Sequence, residues 1–142
     1  MTRDEAAVLF AERDAIWRRG DTETLAALHA DDGIIISPLF GAIKGREAIE
    51  KSYRQIFKIF NDLTLDTDEI VADGDRVAQF FRCHATHTSD VFGIPATGRA
   101  FEIRGVLIFN FKDGKIIKER RLYDFTGMLV QLGILQARPK PA

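Results

Sequence analysis

The chain has 142 residues, of which 46% are hydrophobic and 29% are charged, and its formal net charge is -1. This composition is typical of one folded domain with a substantial core and excludes a disordered chain. The near-neutral charge gives no electrostatic attraction to nucleic acid or anionic lipid, and no apolar run reaches the roughly 18 residues that a membrane span needs.

The cysteine content and the N-terminal residues indicate a cytoplasmic protein. Residues 1–5 are Met-Thr-Arg-Asp-Glu and lack the apolar segment of a signal peptide. Cys83 is the only cysteine, so an internal disulfide is excluded and a reducing compartment is favoured. We expect Cys83 to be a small core residue rather than a nucleophile, because free cysteines are usually buried and inert.

Apolar residues recur at helical spacing in the first 60 residues. Phe10 and Trp17 are seven positions apart and share one face of a first helix. A later segment carries Ile49, Tyr53 and Phe57 on one face, which is the clearest helical pattern in the chain. Asp21 is a candidate N-cap for a short helix between these two. The predicted helices are residues 4–19, 21–28 and 45–60.

The hydrophobic pattern then changes to the alternation that is typical of strands. Asp73-Gly74 and Asp113-Gly114 are signals for β-hairpins. Residues 31–33 are expected to end the second helix, and residues 38–41 and 93–98 are expected to be loops because of their Gly and Pro content. The predicted strands are residues 34–36, 63–71, 76–88, 101–111 and 115–124.

Three helices followed by a run of antiparallel strands predict an α+β fold. Such a sheet, strongly twisted and covered by helices on one face, forms a cone with an interior that can bind a small molecule. We interpret residues 1–136 as a single domain and residues 137–142, which contain two prolines, as a mobile tail.

Two motifs in the second half of the chain match a known family pattern. Residues 86–99 read THTSDVFGIPATGR, and residues 114–133 contain GKI, then Glu119, Asp124, GML and QLG. These motifs resemble the SnoaL-like polyketide cyclase family, in the nuclear-transport-factor-2-like superfamily that also contains ketosteroid isomerases. The resemblance implies a cone-shaped α+β barrel.

The resemblance also implies that Asp124 occupies the position of the family's acid/base aspartate and faces the cone interior. The position of Asp124 before a short apolar segment leaves a second interpretation open, in which its side chain caps the following turn. Cyclases of this family often carry His-Trp where this chain has Glu119-Arg120, and Ser89 replaces a usual glycine.

Several other polar residues are candidates for the same site. Side chains alternate along a strand, so Arg120 and Asp124 share a face, and Arg120 is predicted to bind an anionic group or stabilise an enolate. The alternative is a solvated or interface arginine. His84 is predicted to move a proton, and Arg104 to donate a hydrogen bond to developing oxyanion charge. The predicted substrate-binding residues are Tyr53, Arg104, Trp17 and Phe57.

Two hypotheses for function follow. The first is a cofactor-independent enzyme in which Asp124 acts as general base on a small, apolar or partly polar carbonyl or hydroxylated compound, with isomerase, cyclase or hydrolase chemistry. The second is a non-catalytic binding domain with the same fold, which the absent cyclase histidine favours. No Cys/His cluster has metal-ligand spacing, so no metal is expected. The outer sheet face carries Val106 and Ile108, which predicts a homodimer through the sheet.

Overall fold

A computed structural model describes residues 1–136. It confirms the three predicted N-terminal helices and adds a short C-terminal one. The helices are α1 (Arg3–Arg18), α2 (Thr22–Ala27), α3 (Arg46–Ile59) and α4 (Phe125–Gln131). The strands are β1 (His29–Ser37), β2 (Gly41–Lys44), β3 (Thr64–Asp73), β4 (Arg76–Thr86), β5 (Ala100–Lys112) and β6 (Lys115–Tyr123). The predicted tail at residues 137–142 lies outside the described residues.

The six strands form one curled sheet in the order β2-β1-β6-β5-β4-β3. Neighbouring strands are antiparallel except β1 and β6, which are parallel. Both hairpin predictions are confirmed, because Asp73 pairs with Arg76 and Lys112 pairs with Lys115. The α+β class and the mostly antiparallel sheet are therefore as predicted. Within residues 1–136, no helix combines the length and the apolar character that crossing a membrane requires.

The structure corrects the sequence prediction in the region between α2 and α3. Residues 31–33 do not end a helix but belong to β1, which runs from His29 to Ser37. Residues 41–44 form the edge strand β2, which the prediction treated as part of a loop. The errors share a physical cause, because both segments are polar or exposed and therefore lack the alternation by which a half-buried strand is recognised.

The helices cover one face of the sheet, which we call the inner face. Thr2 and Glu5 form a capping box at the start of α1, and Asp21 caps α2 as predicted. Phe10 of α1 packs edge-on against Phe109 of β5, with ring centroids 5.0 Å apart. Tyr53 of α3 is fully buried against Trp17, at a centroid distance of 5.5 Å. These aromatic contacts fix the two long helices on the sheet.

A buried group of polar side chains, here called the polar core cluster, links the helices to three strands. Its members are Arg13, His29, Tyr53, Gln79, Glu119 and Arg121. The Glu119 carboxylate lies 3.3 Å from Nη2 of Arg13 and also accepts a hydrogen bond from Nε of Arg121. Nη1 of Arg13 donates to Gln79 at 3.2 Å, and Nε2 of His29 lies 3.1 Å from the Tyr53 hydroxyl. Each side chain therefore depends on a neighbour from another element.

The cluster fixes the protonation of its members. Burial alone would raise the pKa of Glu119, but the charges of Arg121 and Arg13 outweigh burial and hold that pKa below its ordinary value. Burial lowers the pKa of His29 to about 4, and nearby arginines act in the same direction while Glu119 opposes them. Near neutral pH, Glu119 is therefore ionised and His29 is neutral.

We predict that His29 makes the protein less stable in mild acid. In the unfolded state the His29 ring takes up a proton near pH 6.5, whereas in the folded state it stays neutral until about pH 4. The free energy of unfolding therefore falls as the pH falls through this window. In urea unfolding, the contribution of His29 should make the free energy of unfolding about 2 kcal/mol lower at pH 5 than at pH 7.

The control uses a second histidine. His29→Asn should remove most of this pH dependence, whereas the same change at the exposed His84 should leave it in place. An unchanged slope in the His29→Asn variant would contradict the assignment.

Candidate functional site

A cavity of about 140 Å³ lies between the inner face of the sheet and helices α3 and α4, and we call it the inner cavity. Its walls are almost entirely apolar. Among its lining residues, those whose side chains carry a nitrogen, oxygen or thiol group are Trp17, Cys83, Arg121 and Tyr123. Its volume is close to that of an engineered protein cavity of about 150 Å³ that binds benzene. The inner cavity therefore has room for one aromatic ring without rearrangement.

Two buried hydrogen-bond donors in this lining have no partner among residues 1–136. They are Nε1 of Trp17 and Nη2 of Arg121. Leaving a buried donor unsatisfied costs roughly 1–3 kcal/mol, and more for a charged group. The Tyr123 hydroxyl, in contrast, lies 3.4 Å from Oγ of Ser37. Each of the two atoms thus belongs to a residue that lines the inner cavity and lacks a hydrogen-bond partner within the described residues.

The polar core cluster holds Arg121 in place. Its Nε donates to Glu119, two residues earlier on the same face of β6, and its guanidinium lies 5.7 Å from the ring centroid of Tyr53. Arg121 also lines a second cavity of about 180 Å³ beside α3, which includes Lys51 and Gln55. One cation is therefore fixed in orientation and can be reached from two cavities.

Aromatic side chains on two loops and α4 form the mouth of the inner cavity. Phe40 follows β1, Phe92 lies in the loop between β4 and β5, and their ring centroids are 5.4 Å apart. Phe92 in turn packs against Phe125 at 6.1 Å. Phe92 has a φ of 52°, which is uncommon for a bulky residue, and precedes Gly93 at 74°. The mouth thus consists of two exposed loop residues and the partly buried Phe125 of α4.

Three of the predicted substrate-binding residues meet inside the structure. Trp17 packs against Tyr53 and also against Phe57, whose ring centroid lies 5.2 Å from that of the indole. Among them, Trp17 lines the inner cavity. The Tyr53 hydroxyl is engaged by Arg13 and His29 in the polar core cluster, so core packing describes Tyr53 better than ligand contact.

The other predicted site residues lie on the opposite, outer face of the sheet. His84 and Arg104 are exposed, and both approach Glu102, at 4.0 and 3.4 Å. Arg120 is half-buried on the same face, opposite Ile36 of β1 and Ile108 of β5. The prediction that these side chains share the cavity with Tyr53, Trp17 and Phe57 is therefore wrong, because the sheet separates the two groups.

Asp124 also lies outside the inner cavity, which corrects the expectation that it faces the cone interior. Its carboxylate caps α4, where Oδ1 accepts a hydrogen bond from the backbone N–H of Gly127 at 2.9 Å. The residue is exposed and lies beside Leu122 and Arg104 in a shallow depression of the outer face. The geometry matches the capping interpretation that the sequence left open.

A β-bulge in β6 determines which side chains of this strand face inward. Phe111 pairs with Ile116, whereas Asn110 pairs with Lys118, so Ile117 is an extra residue in the ladder. Strict alternation from the buried Ile116 would point residues 118, 120, 122 and 124 inward. The bulge reverses this parity and turns Glu119 and Arg121 inward instead.

Glu119 and Arg121 are thus the site residues that the sequence analysis missed. The available signal was their alternation with each other and with Tyr123, which places three polar residues on one face of a strand. Within residues 1–136, no group of three or more His, Cys, Asp or Glu side chains is arranged as a metal site.

The same architecture occurs in solved structures. The chain is 28% identical to AclR of Streptomyces galilaeus, a candidate hydroxylase, over 98% of this chain and 91% of AclR, with a TM-score of 0.83. It is 30% identical to IdmH of Streptomyces antibioticus, a candidate polyketide cyclase, over 89% of this chain and 97% of IdmH, with a TM-score of 0.77. A protein of Catenulispora acidiphila with the ketosteroid isomerase-like fold is 18% identical, covers 86% of this chain and 89% of its own, and has a TM-score of 0.74.

The family comparison covers most of the chain. A search among curated proteins found no match. The family model of SnoaL-like polyketide cyclases matches residues 7–132, which include all four helices and all six strands apart from the first turn of α1. The chain therefore belongs to the SnoaL-like polyketide cyclase family.

Proposed function

We propose that this protein is an enzyme that acts on a small, largely apolar carbonyl or hydroxylated compound bound in the inner cavity. The observation that carries the proposal is the fixed guanidinium of Arg121, a residue of an otherwise apolar lining, whose Nη2 has no hydrogen-bond partner within residues 1–136. A positioned cation in a site that excludes water stabilises negative charge as it develops on a substrate oxygen. Membership of the family and the likeness to IdmH support substrates of the polyketide type.

Within this proposal, Arg121 takes the role that the sequence analysis gave to Arg120. Glu119 fixes the guanidinium before substrate arrives, so little reorganisation is needed during reaction. Trp17 supplies a second donor from α1. Enolate and alkoxide intermediates of isomerisation, aldol cyclisation and ester hydrolysis all place negative charge on one oxygen, so the arrangement suits each of these reaction types.

A second candidate function is ligand binding without catalysis. The inner cavity has no Asp, Glu or His side chain among its described lining residues, so a general base is not supplied there. Burial raises the pKa of the Cys83 thiol to about 12, which keeps it protonated at neutral pH. This alternative predicts tight binding of polyketide-type compounds with no turnover.

Substitution of Arg121 should separate these functions. With a panel of polyketide esters, hydroxylated aromatic ketones and ketosteroids, wild-type protein should turn over at least one member. Arg121→Gln should lower kcat/KM by about 10²-fold or more, the usual effect of losing one oxyanion donor. Arg120→Gln, one residue away on the outer face, is the matched control and should retain activity. Equal activity of both variants would contradict the proposed role, and binding without turnover would favour the second function.

Asp124 provides an independent prediction. Because it acts as a helix cap, Asp124→Asn should keep both fold and turnover, since Asn caps helices as well as Asp. Asp124→Ala should lower the free energy of unfolding by about 1 kcal/mol while turnover is kept. Loss of turnover in a correctly folded Asp124→Asn variant would instead restore Asp124 as the catalytic base.

We also propose that the protein forms a homodimer through the outer face of its sheet. Leu122, Val106 and Phe80 are opposite one another on adjacent strands and form an apolar row across this face. Leu122 is 56% exposed and Phe80 is 41% exposed, so a second copy of the chain would remove substantial apolar area from water.

A charge in this row should disrupt the dimer. Leu122→Lys is expected to convert a dimer to a monomer in sedimentation velocity, because the dimer would bury an unpaired charge. Val8→Lys changes an apolar residue of α1 with a similar exposure of 62% and should leave the dimer intact. A wild-type monomer at micromolar concentration would overturn the proposal.

A further inference from the structure

The loop between β4 and β5 contains a two-residue turn that places Phe92 at the mouth of the inner cavity. Val91 and Ile94 exchange two backbone hydrogen bonds, of 3.0 and 2.8 Å, so Phe92 and Gly93 are the central residues of a tight turn. Both have positive φ, at 52° and 74°, as a type I′ turn requires. Asn-Gly and Asp-Gly are the usual sequences of this turn, because a left-handed backbone is unfavourable for a bulky side chain. Phe92 therefore fits its own turn poorly.

Hydrogen bonds at the base of the loop hold this turn in place. The backbone N–H of His87 donates to the carbonyl oxygen of Arg99 at 2.9 Å, and Nδ1 of His87 accepts from the backbone N–H of Thr97 at 3.2 Å. Oδ1 of Asp90 accepts from the backbone N–H of Ala96 at 3.0 Å. Unfavourable backbone conformations persist where the surrounding structure determines them, and they are frequent at ligand clamps. The loop therefore fixes the aromatic ring on the turn despite the local cost.

Phe92 is the central member of the three aromatic rings at the mouth. Its ring centroid lies 5.4 Å from that of Phe40 and 6.1 Å from that of Phe125, whereas Phe40 and Phe125 make no ring contact with each other within the described residues. All three rings line the inner cavity, and the Phe92 side chain is also 50% exposed to solvent. Removal of the Phe92 ring alone would therefore break both contacts across the mouth.

We propose that Phe92 is a specificity-determining residue, whose ring closes the mouth of the inner cavity and disfavours ligands larger than one aromatic ring. This rests on the proposed function only in requiring that ligands occupy the inner cavity, and it applies equally to a binding protein. The cavity of about 140 Å³ has room for one ring, so a two-ring ligand has to displace Phe92. A role in stability alone does not account for Phe92, because Asn would suit the turn better.

The test compares the binding of benzene and naphthalene, which differ by one ring and need no hydrogen-bond partner. The chain contains two methionines, of which Met128 lines the inner cavity, so the Met128 methyl signal in a ¹H–¹³C NMR spectrum reports binding. Phe92→Asn removes the ring while keeping a residue that the turn favours. It should lower the ratio of the naphthalene Kd to the benzene Kd by about tenfold or more, the usual scale of size discrimination by an apolar pocket.

Two further variants at the same position separate the ring from the turn. Phe92→Tyr is the matched control, because it keeps both the aromatic ring and the backbone requirement, and its Kd ratio should equal that of wild type. Phe92→Gly also removes the ring, and glycine adopts positive φ without steric cost, so this variant should lower the ratio as Phe92→Asn does.

Three results would overturn the inference. They are a Kd ratio that is unchanged in Phe92→Asn or in Phe92→Gly, a ratio that falls equally in Phe92→Tyr, and the absence of benzene binding to wild type at the solubility limit of benzene. Hydrocarbon binding needs no turnover, so an inactive protein with the expected ratios would contradict the enzyme proposal alone. A protein that turns over substrate but shows no change in the ratio would contradict the role of Phe92 alone.

Discussion

The carboxylate of Glu119 is the group on which the interior depends. It is fully buried and contacts arginines from α1 and from its own strand, β6. A buried ion pair adds little net stability when complete, but loss of one member leaves uncompensated charge and is strongly destabilising. The same carboxylate that links the first helix to the sheet also holds Arg121, which lines the inner cavity. Structural integrity and ligand chemistry are therefore coupled through one side chain.

The architecture could be predicted from the sequence because strong local signals indicate most of its helices and strands. The apolar spacing of Phe10 and Trp17, the Asp-Gly turns and the alternation in β5 each have one simple structural solution. The edge strand β2 and the polar start of β1 gave no such signal. Their pairing depends on long-range contacts, such as Ile34 with Lys44 in β2 and with Lys118 in β6, that local patterns do not encode.

The candidate site was harder to predict because its composition depends on a single extra residue in β6. The bulge at Ile117 determines whether Arg120 or Arg121 faces the cavity. Neither strand propensity nor hydrophobic periodicity specifies where a strand will contain an extra residue. Asp124 was assigned to the interior by resemblance, yet its geometry is that of a helix cap. Trp17 lines the inner cavity because it lies on the apolar stripe of α1 that faces the interior. The inward face of a strand was thus not predictable, either for Arg120 after the irregularity or for His84 and Arg104 on the regular strands β4 and β5.

The base and the mouth of the inner cavity are formed by different kinds of structure. Arg121 and Glu119 are anchored in the central strand β6, whereas Phe40 and Phe92 belong to separate loops and contact each other through their rings. Exchanging a loop aromatic for a smaller residue would lengthen the cavity without disturbing the ion pairs beneath it. Relatives with this fold could thus bind ligands of different sizes through a few loop substitutions, while the ion pairs at the base of the cavity stay the same.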